Sequence, residues 1–134
     1  LYAALELLIE HMSEARIAGP LMIKFELRLL EELGFGLDLA SCAATGTREK
    51  LVYVSPKSGR AVSAEADKPW ADKLLPLPGF LTLKSDRECT AQDLKAAFDM
   101  LSHFFERDVY HPRGTKQPES RLGFLNATLK AMSD

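Results

Sequence analysis

Cysteine is scarce in this chain, with two in 134 residues, Cys42 and Cys89. Two cysteines make no disulfide framework, and alone they cannot supply the four ligands of a structural zinc site. No apolar run reaches the ~18 residues that a transmembrane helix needs, so no membrane association is expected. An excess of basic charge is also absent. The 17 Lys+Arg stand against 19 Asp+Glu and leave a formal charge of −2. That excludes a uniformly basic nucleic-acid binder and leaves room for a local basic patch. There is no Gly-x-Ser-x-Gly elbow, no phosphate loop and no His-Glu-x-x-His pattern. No catalytic residue, metal or cofactor is therefore assigned. No initiating Met or signal segment opens the chain, and low cysteine use makes a reduced, cytoplasmic setting the simplest expectation. The opening LYAALELLIEHM reads as the middle of a helix, so further chain upstream is expected.

What is present fits one globular domain, 1–134. Hydrophobic residues are 46% and charged residues 27%, close to the soluble average. Leu1, Ala4, Leu5, Leu8 and Met12 recur at helical spacing. Gly19-Pro20 is expected to interrupt that helix, and a second is expected from Pro20 to Leu33, stopped by Gly34. Leu51–Val54 and Arg60–Ser63 read as a hairpin around Pro56-Lys57-Ser58-Gly59. Leu74–Gly79, broken by prolines, is given no regular structure. Thr90 is the expected N-cap of a third helix running to about Asp108, with Asp93 in its first turn. After a polar break at 111–116, Leu122, Leu125, Leu129 and Met132 mark a last helix. The expected fold is mainly α, a helical bundle with a small β-hairpin insertion.

Several residue groups are candidates for chemistry. His103, Glu106, Asp108 and His111 are metal-capable, but their spacing suits a charge cluster at a helix C-terminus better than a metal centre or a metal-dependent enzyme. Cys42 and Cys89 read as ordinary small residues rather than reactive thiols. Arg107, Arg113, Lys116 and Arg121 face only Asp108 and Glu119 across 107–121. This patch suits a carboxylate or nucleic-acid phosphates, or is simply a solvated loop. Lys24 and Arg28 lie four apart on one helix face beside Phe25 and Leu29. They are either exposed charges with snorkelling stems or the rim of an apolar groove for an acidic, aromatic-ended peptide.

The run Lys24-Phe25-Glu26-Leu27-Arg28-Leu29-Leu30-Glu31-Glu32-Leu33-Gly34-Phe35-Gly36, followed by Leu37-Asp38-Leu39-Ala40-Ser41-Cys42, resembles the bacterial DNA repair RecO family. Tyr53–Arg60, Leu74–Pro78 and Lys116–Arg121 resemble it in the same order and spacing. The resemblance spans nearly the whole chain. It implies the helical C-terminal part of a recombination mediator, with an N-terminal OB-fold outside this chain. It also implies a zinc-finger-like insertion at about 37–80. Implied partners are single-stranded DNA, mainly through the OB-fold, RecR, and the acidic C-terminal tail of single-stranded DNA-binding protein (SSB). Implied activities are RecA loading and strand annealing, without covalent catalysis. Many relatives carry two Cys-x-x-Cys pairs in the insertion. Here they read Cys42-Ala43-Ala44-Thr45 and Ser63-Ala64-Glu65-Ala66, so a metal-free, degenerate finger is expected, held by Leu51, Tyr53, Val62 and Trp70. By the same resemblance, Lys24, Phe25, Arg28 and Arg121 are expected to hold the tail in one groove. Arg28, Arg113 and Lys116 are expected to attract its acidic residues. Replacing Arg121 with Ala is expected to weaken tail binding and leave the fold intact.

Overall fold

A glycine–proline pair normally breaks a helix, yet here the helix runs through it. The computed structural model describes residues 2–10, 14–48, 50–64, 73–82 and 89–133. In it α1 (Tyr2–Glu10) is followed by α2 (Ala15–Glu32), which carries Pro20 inside it. The expected start at Pro20 is thus too late by five residues. Packing explains the continuity. A Cβ on Gly19 would meet Leu94 Cδ2 at 2.9 Å and Thr128 Cγ2 at 3.2 Å, so the bare backbone lies directly against two other helices. That contact outweighs the ladder hydrogen bond that Pro20 cannot donate. The C-terminus behaves as expected. Gly34 takes φ +91°, and the N–H groups of Gly34 and Phe35 return to Glu31 O and Leu30 O.

The insertion is a sheet rather than a hairpin alone. β1 (Leu51–Val54) pairs antiparallel with β2 (Ala61–Ser63) on one side. On the other it pairs with β3 (Leu75–Pro76), inside the segment expected to be irregular. Pro76 is tolerated because β3 is an edge strand, where a missing N–H breaks no central ladder. A 3-10 turn, Gly79–Leu81, follows. The outer side of β2 is covered by 38–43: Ala61 N–H donates to Asp38 O, and Ala43 N–H to Ala61 O.

Thr90 caps α3 (Ala91–Phe105) as expected. Its hydroxyl accepts from Asp93 N–H at 3.0 Å, and the Asp93 carboxylate accepts from Thr90 N–H at 3.2 Å. Beyond Phe105 the helix loosens. A π-helical turn, Glu106–Tyr110, leads into a 3-10 turn, His111–Arg113, and Gly114 at φ +63° ends it. The expected end at Asp108 therefore falls inside the π turn. α4 (Glu119–Ser133) closes the bundle.

One core joins the two parts. Ile23, Leu30, Leu94, Leu101, Phe104, Leu125 and Met132 from the helices form a single cluster with Leu51, Val54 and Val62 from the sheet. A three-stranded sheet with strands this short has little stability alone, so burial against the helices holds it. Leu51, Val62 and, partly buried, Tyr53 take the roles expected of them; Trp70 lies outside the described residues. No described helix is long and apolar enough to cross a membrane.

Candidate functional site

α4 buries Leu125 and Met132 of its expected stripe and packs Leu129 partly against the core, but it leaves Leu122 outside. Leu122 is 52% exposed, while Arg121, Leu125, Thr128 and Met132 turn inward. Those four recur at helical spacing, with a guanidinium in the first place. Arg121 is 8% exposed and meets Glu26 of α2, itself 5% exposed. Its Nε donates to Glu26 Oε2 at 2.5 Å and its Nη2 to Oε1 at 2.7 Å, a two-pronged pair. Nη1 donates to Ser102 Oγ. The guanidinium carbon lies 3.9 Å over the Phe98 ring and 5.4 Å from that of Phe105. Rings on its flank and a carboxylate at its edge satisfy this cation from within the fold.

Lys24 and Arg28 stand on the outside of α2. Arg28 reaches Glu32, one turn on, at 3.8 Å. Phe25 is half-buried beside them. Lys24 and Glu26 are two residues apart, which at 3.6 residues per turn separates them by about 160° around the helix. Arg121 is bound at Glu26. The structure therefore packs α2 against α4 but does not bring Lys24 and Arg121 to one groove. The expectation that Arg121→Ala leaves the fold intact is also corrected, since that change strands a buried carboxylate.

The 107–121 patch divides similarly. Arg107 Nη1 donates to Pro56 O at 2.6 Å and to Lys57 O at 2.7 Å, while Nε and Nη2 hold the Asp108 carboxylate. Its guanidinium sits 5.0 Å from the Phe104 ring. The bond to Asp108 is the first cause holding its pKa above the ordinary value. His103 Nε2 also bonds to Pro56 O, at 3.0 Å; a carbonyl only accepts, so that nitrogen is the donor. Arg113 and Lys116 remain exposed on the loop. Gln117 anchors that loop by donating to Ser102 O at 2.9 Å and, more distantly, to Glu106.

The metal-capable quartet does not converge. His103 serves Pro56, Asp108 serves Arg107, Glu106 faces Gln117, and His111 is exposed. Among the described residues no three His, Cys, Asp or Glu side chains are placed to share a metal. At the finger-like positions Cys42 is 1% exposed, and its sulfur accepts from Ser63 N–H at 3.3 Å. Burial pushes the Cys42 thiol up, but hydrogen bonds from Thr45 and Ser63 outweigh it and bring the pKa down to about 6. One thiol and two hydroxyls already bonded to it do not fit a tetrahedral zinc site. Ala66 lies outside the described residues. Cys89 differs: burial, then the charge of Asp93, pushes it up to about 12. A cleft of about 370 Å³ lies between β1, the Pro76–Gly79 segment and the first turns of α3, and none of the cations named above lines it.

Sequence spacing missed Glu26, Ser102 and Gln117, because each looks like an ordinary helix-face or loop residue. The available signal was Arg121 standing four, seven and eleven residues before Leu125, Thr128 and Met132.

The family described as recombination protein O C terminal matches residues 1–117. A DNA repair protein RecO from Mesorhizobium japonicum is 54% identical over 130 residues, covering 97% of this chain and 51% of its own length. Those of Brucella abortus and Chelativorans sp. are each 52% identical, covering 99% and 100% of this chain and 54% of their own lengths. The chain thus spans about half the length of the curated relatives it matches. No solved structure gives a significant match. The chain belongs to the RecO C-terminal family.

Proposed function

We propose that this chain is the non-catalytic interaction domain of a RecO-type recombination mediator, and that it engages the acidic, aromatic-ended SSB tail through α2. In this reading Lys24 and Arg28 meet the tail's acidic groups and Phe25 its terminal ring. The observation that carries it is the division among the cations. Arg107 and Arg121 are taken up by bonds within the fold, while Lys24 and Arg28 stand outward around a half-buried phenylalanine. Arg121 then acts from beneath, by fixing α2. Contributions to RecR- and single-stranded-DNA-dependent RecA loading, and to strand annealing, belong to the whole protein in the same proposal. So does the reading of the 37–80 insertion as a degenerate zinc finger. The mutual bonding of Cys42, Thr45 and Ser63 supports it.

The test is a titration with a fluorescent SSB-tail peptide, beside a version lacking the terminal residue. Saturable binding that is lost on truncation and weakened by Lys24→Ala supports the reading. Binding indifferent to both changes removes it.

The exposed pair Arg113 and Lys116 supports a second reading, direct contact with nucleic acid. Two phosphate contacts to a single strand give a salt slope of about −1.4, and the full four-cation patch about −2.8. A slope at the steeper value would put Arg107 and Arg121 back among the contacts.

A further inference from the structure

Replacing a buried ion pair with apolar residues of similar volume is often neutral or stabilising, so such a pair calls for a role other than stability. Glu26 lies on α2 between Ile23 and Leu30, both buried, in a face otherwise apolar. Arg121 reaches it from α4 and also bonds Ser102 of α3, so one guanidinium ties three helices. Apolar side chains accept small rotations of a helix at little cost. A planar fork with two parallel bonds is satisfied in one setting only, and in a low dielectric a missed bond is expensive. The neighbouring contact of α2, bare Gly19 backbone against Leu94 and Thr128, is close but apolar and makes no directional bond.

We infer that the Glu26–Arg121 pair is a rotational key, which fixes the setting of α2 about its own axis and so positions Lys24, Phe25 and Arg28 for an acidic, aromatic-ended peptide. Lys24 and Arg28 flank Glu26 by two residues on either side, so any turn of α2 at the key is passed directly to them. Glu26 and Arg121 are positioning residues here, without contact to the peptide. The inference rests on the reading of Lys24, Phe25 and Arg28 as the partner-facing strip.

The test uses the full chain with Glu26→Met and Arg121→Met combined, which removes both charges together, and Arg121→Lys as a second variant. Two quantities are read: the NMR amide signals of residues 24–28, and the affinity for the SSB-tail peptide. The expected result is cooperative unfolding retained, amide signals of 24–28 broadened or doubled, and affinity lowered about tenfold or more. Arg121→Lys, which keeps the charge but not the fork, is expected to fall between. One sharp set of α2 signals with affinity within about twofold of the parent overturns the key. If the parent chain itself fails to bind, the tail reading falls alone. The amide signals then decide the key: doubled signals support it and a single set overturns it. If the double variant does not fold, the signals of Arg121→Lys decide in the same way.

Discussion

Arg107 Nη1 donates at 2.6 Å to the carbonyl oxygen of Pro56, a residue 51 positions earlier in the chain. The same nitrogen reaches Lys57 O, and His103 Nε2 meets Pro56 O from the preceding turn of helix. His103 near the end of α3 and Arg107 in the π turn after it thus fasten the β1–β2 turn to the bundle. Beneath the turn, Gly59 at φ +69° brings its backbone close to Leu37 and the Phe104 ring, where a Cβ would lie 2.9 Å from Leu37.

Arg107→Ala is predicted to loosen the turn selectively. Two charge-assisted bonds are lost, while the His103 bond remains, for a stability cost of about 1.5 kcal/mol. Amide exchange should quicken at residues 55–60 and stay unchanged in α2. Equal exchange in the two regions would count against the fastening.

Arg121 and Lys24 should separate cleanly in denaturant titrations. Arg121→Ala leaves Glu26 buried without its partner and is predicted to cost about 3–5 kcal/mol. Lys24→Ala, on the exposed side of the same helix, should stay within about 0.5 kcal/mol. Equal costs would mean that Arg121 is not buried in solution.

The two cysteines should behave oppositely with pH. The folded pKa of Cys42 is lowered from 9.0 to about 6. A lowered acid pKa means that the unfolded chain binds the extra proton. The stabilisation is therefore fully present above pH 9 and lost as pH falls through 6. Between those limits the slope from this group is at most about 1.4 kcal/mol per pH unit. Cys42→Ala should flatten stability against pH in that window; an unchanged slope would refute the assignment. Iodoacetamide should label neither cysteine quickly in the native chain at neutral pH. Cys42 is enclosed, and Cys89 keeps its proton because its pKa is raised to about 12.

Two glycines offer a paired test of helix propensity against packing. Gly123 sits on the exposed face of α4, where an added Cβ would meet nothing within 4 Å beyond its own stretch of helix, so Gly123→Ala should stabilise by about 0.5–1 kcal/mol. Gly19→Ala has the same propensity gain but drives a methyl into Leu94 and Thr128, and should destabilise by about 1–2 kcal/mol. Melting temperatures shifting in the same direction would contradict the packing at Gly19.

Some elements were readable in advance because local chemistry alone decides them. Thr90 and Asp93 form a cap that needs no distant partner. Leu51–Val54 and Ala61–Ser63 are short apolar runs on either side of a local turn, and they pair as neighbours. Where the outcome depends on distant residues, spacing misleads. Pro20 reads as a helix start because Leu94 and Thr128, which hold Gly19, are more than 70 residues away. Leu75-Pro76 reads as irregular because β1 supplies its partner from outside the segment. The candidate site shows the same limit. Spacing alone puts Lys24 and Arg28 on one helix face, bordered by Phe25. The burial of Arg121 depends on Glu26, 95 residues earlier, and on aromatic rings of α3.

The passage of α2 through Gly19-Pro20 has a kinetic consequence. Residues 15–20 contain two of the poorest helix formers in succession, so this turn gains little from its own propensity. It becomes helical when α3 and α4 are there to receive it. The first half of α2 should therefore consolidate late, after the folding transition state. The clash built by Gly19→Ala would then appear almost entirely as faster unfolding, with the refolding rate left as it was.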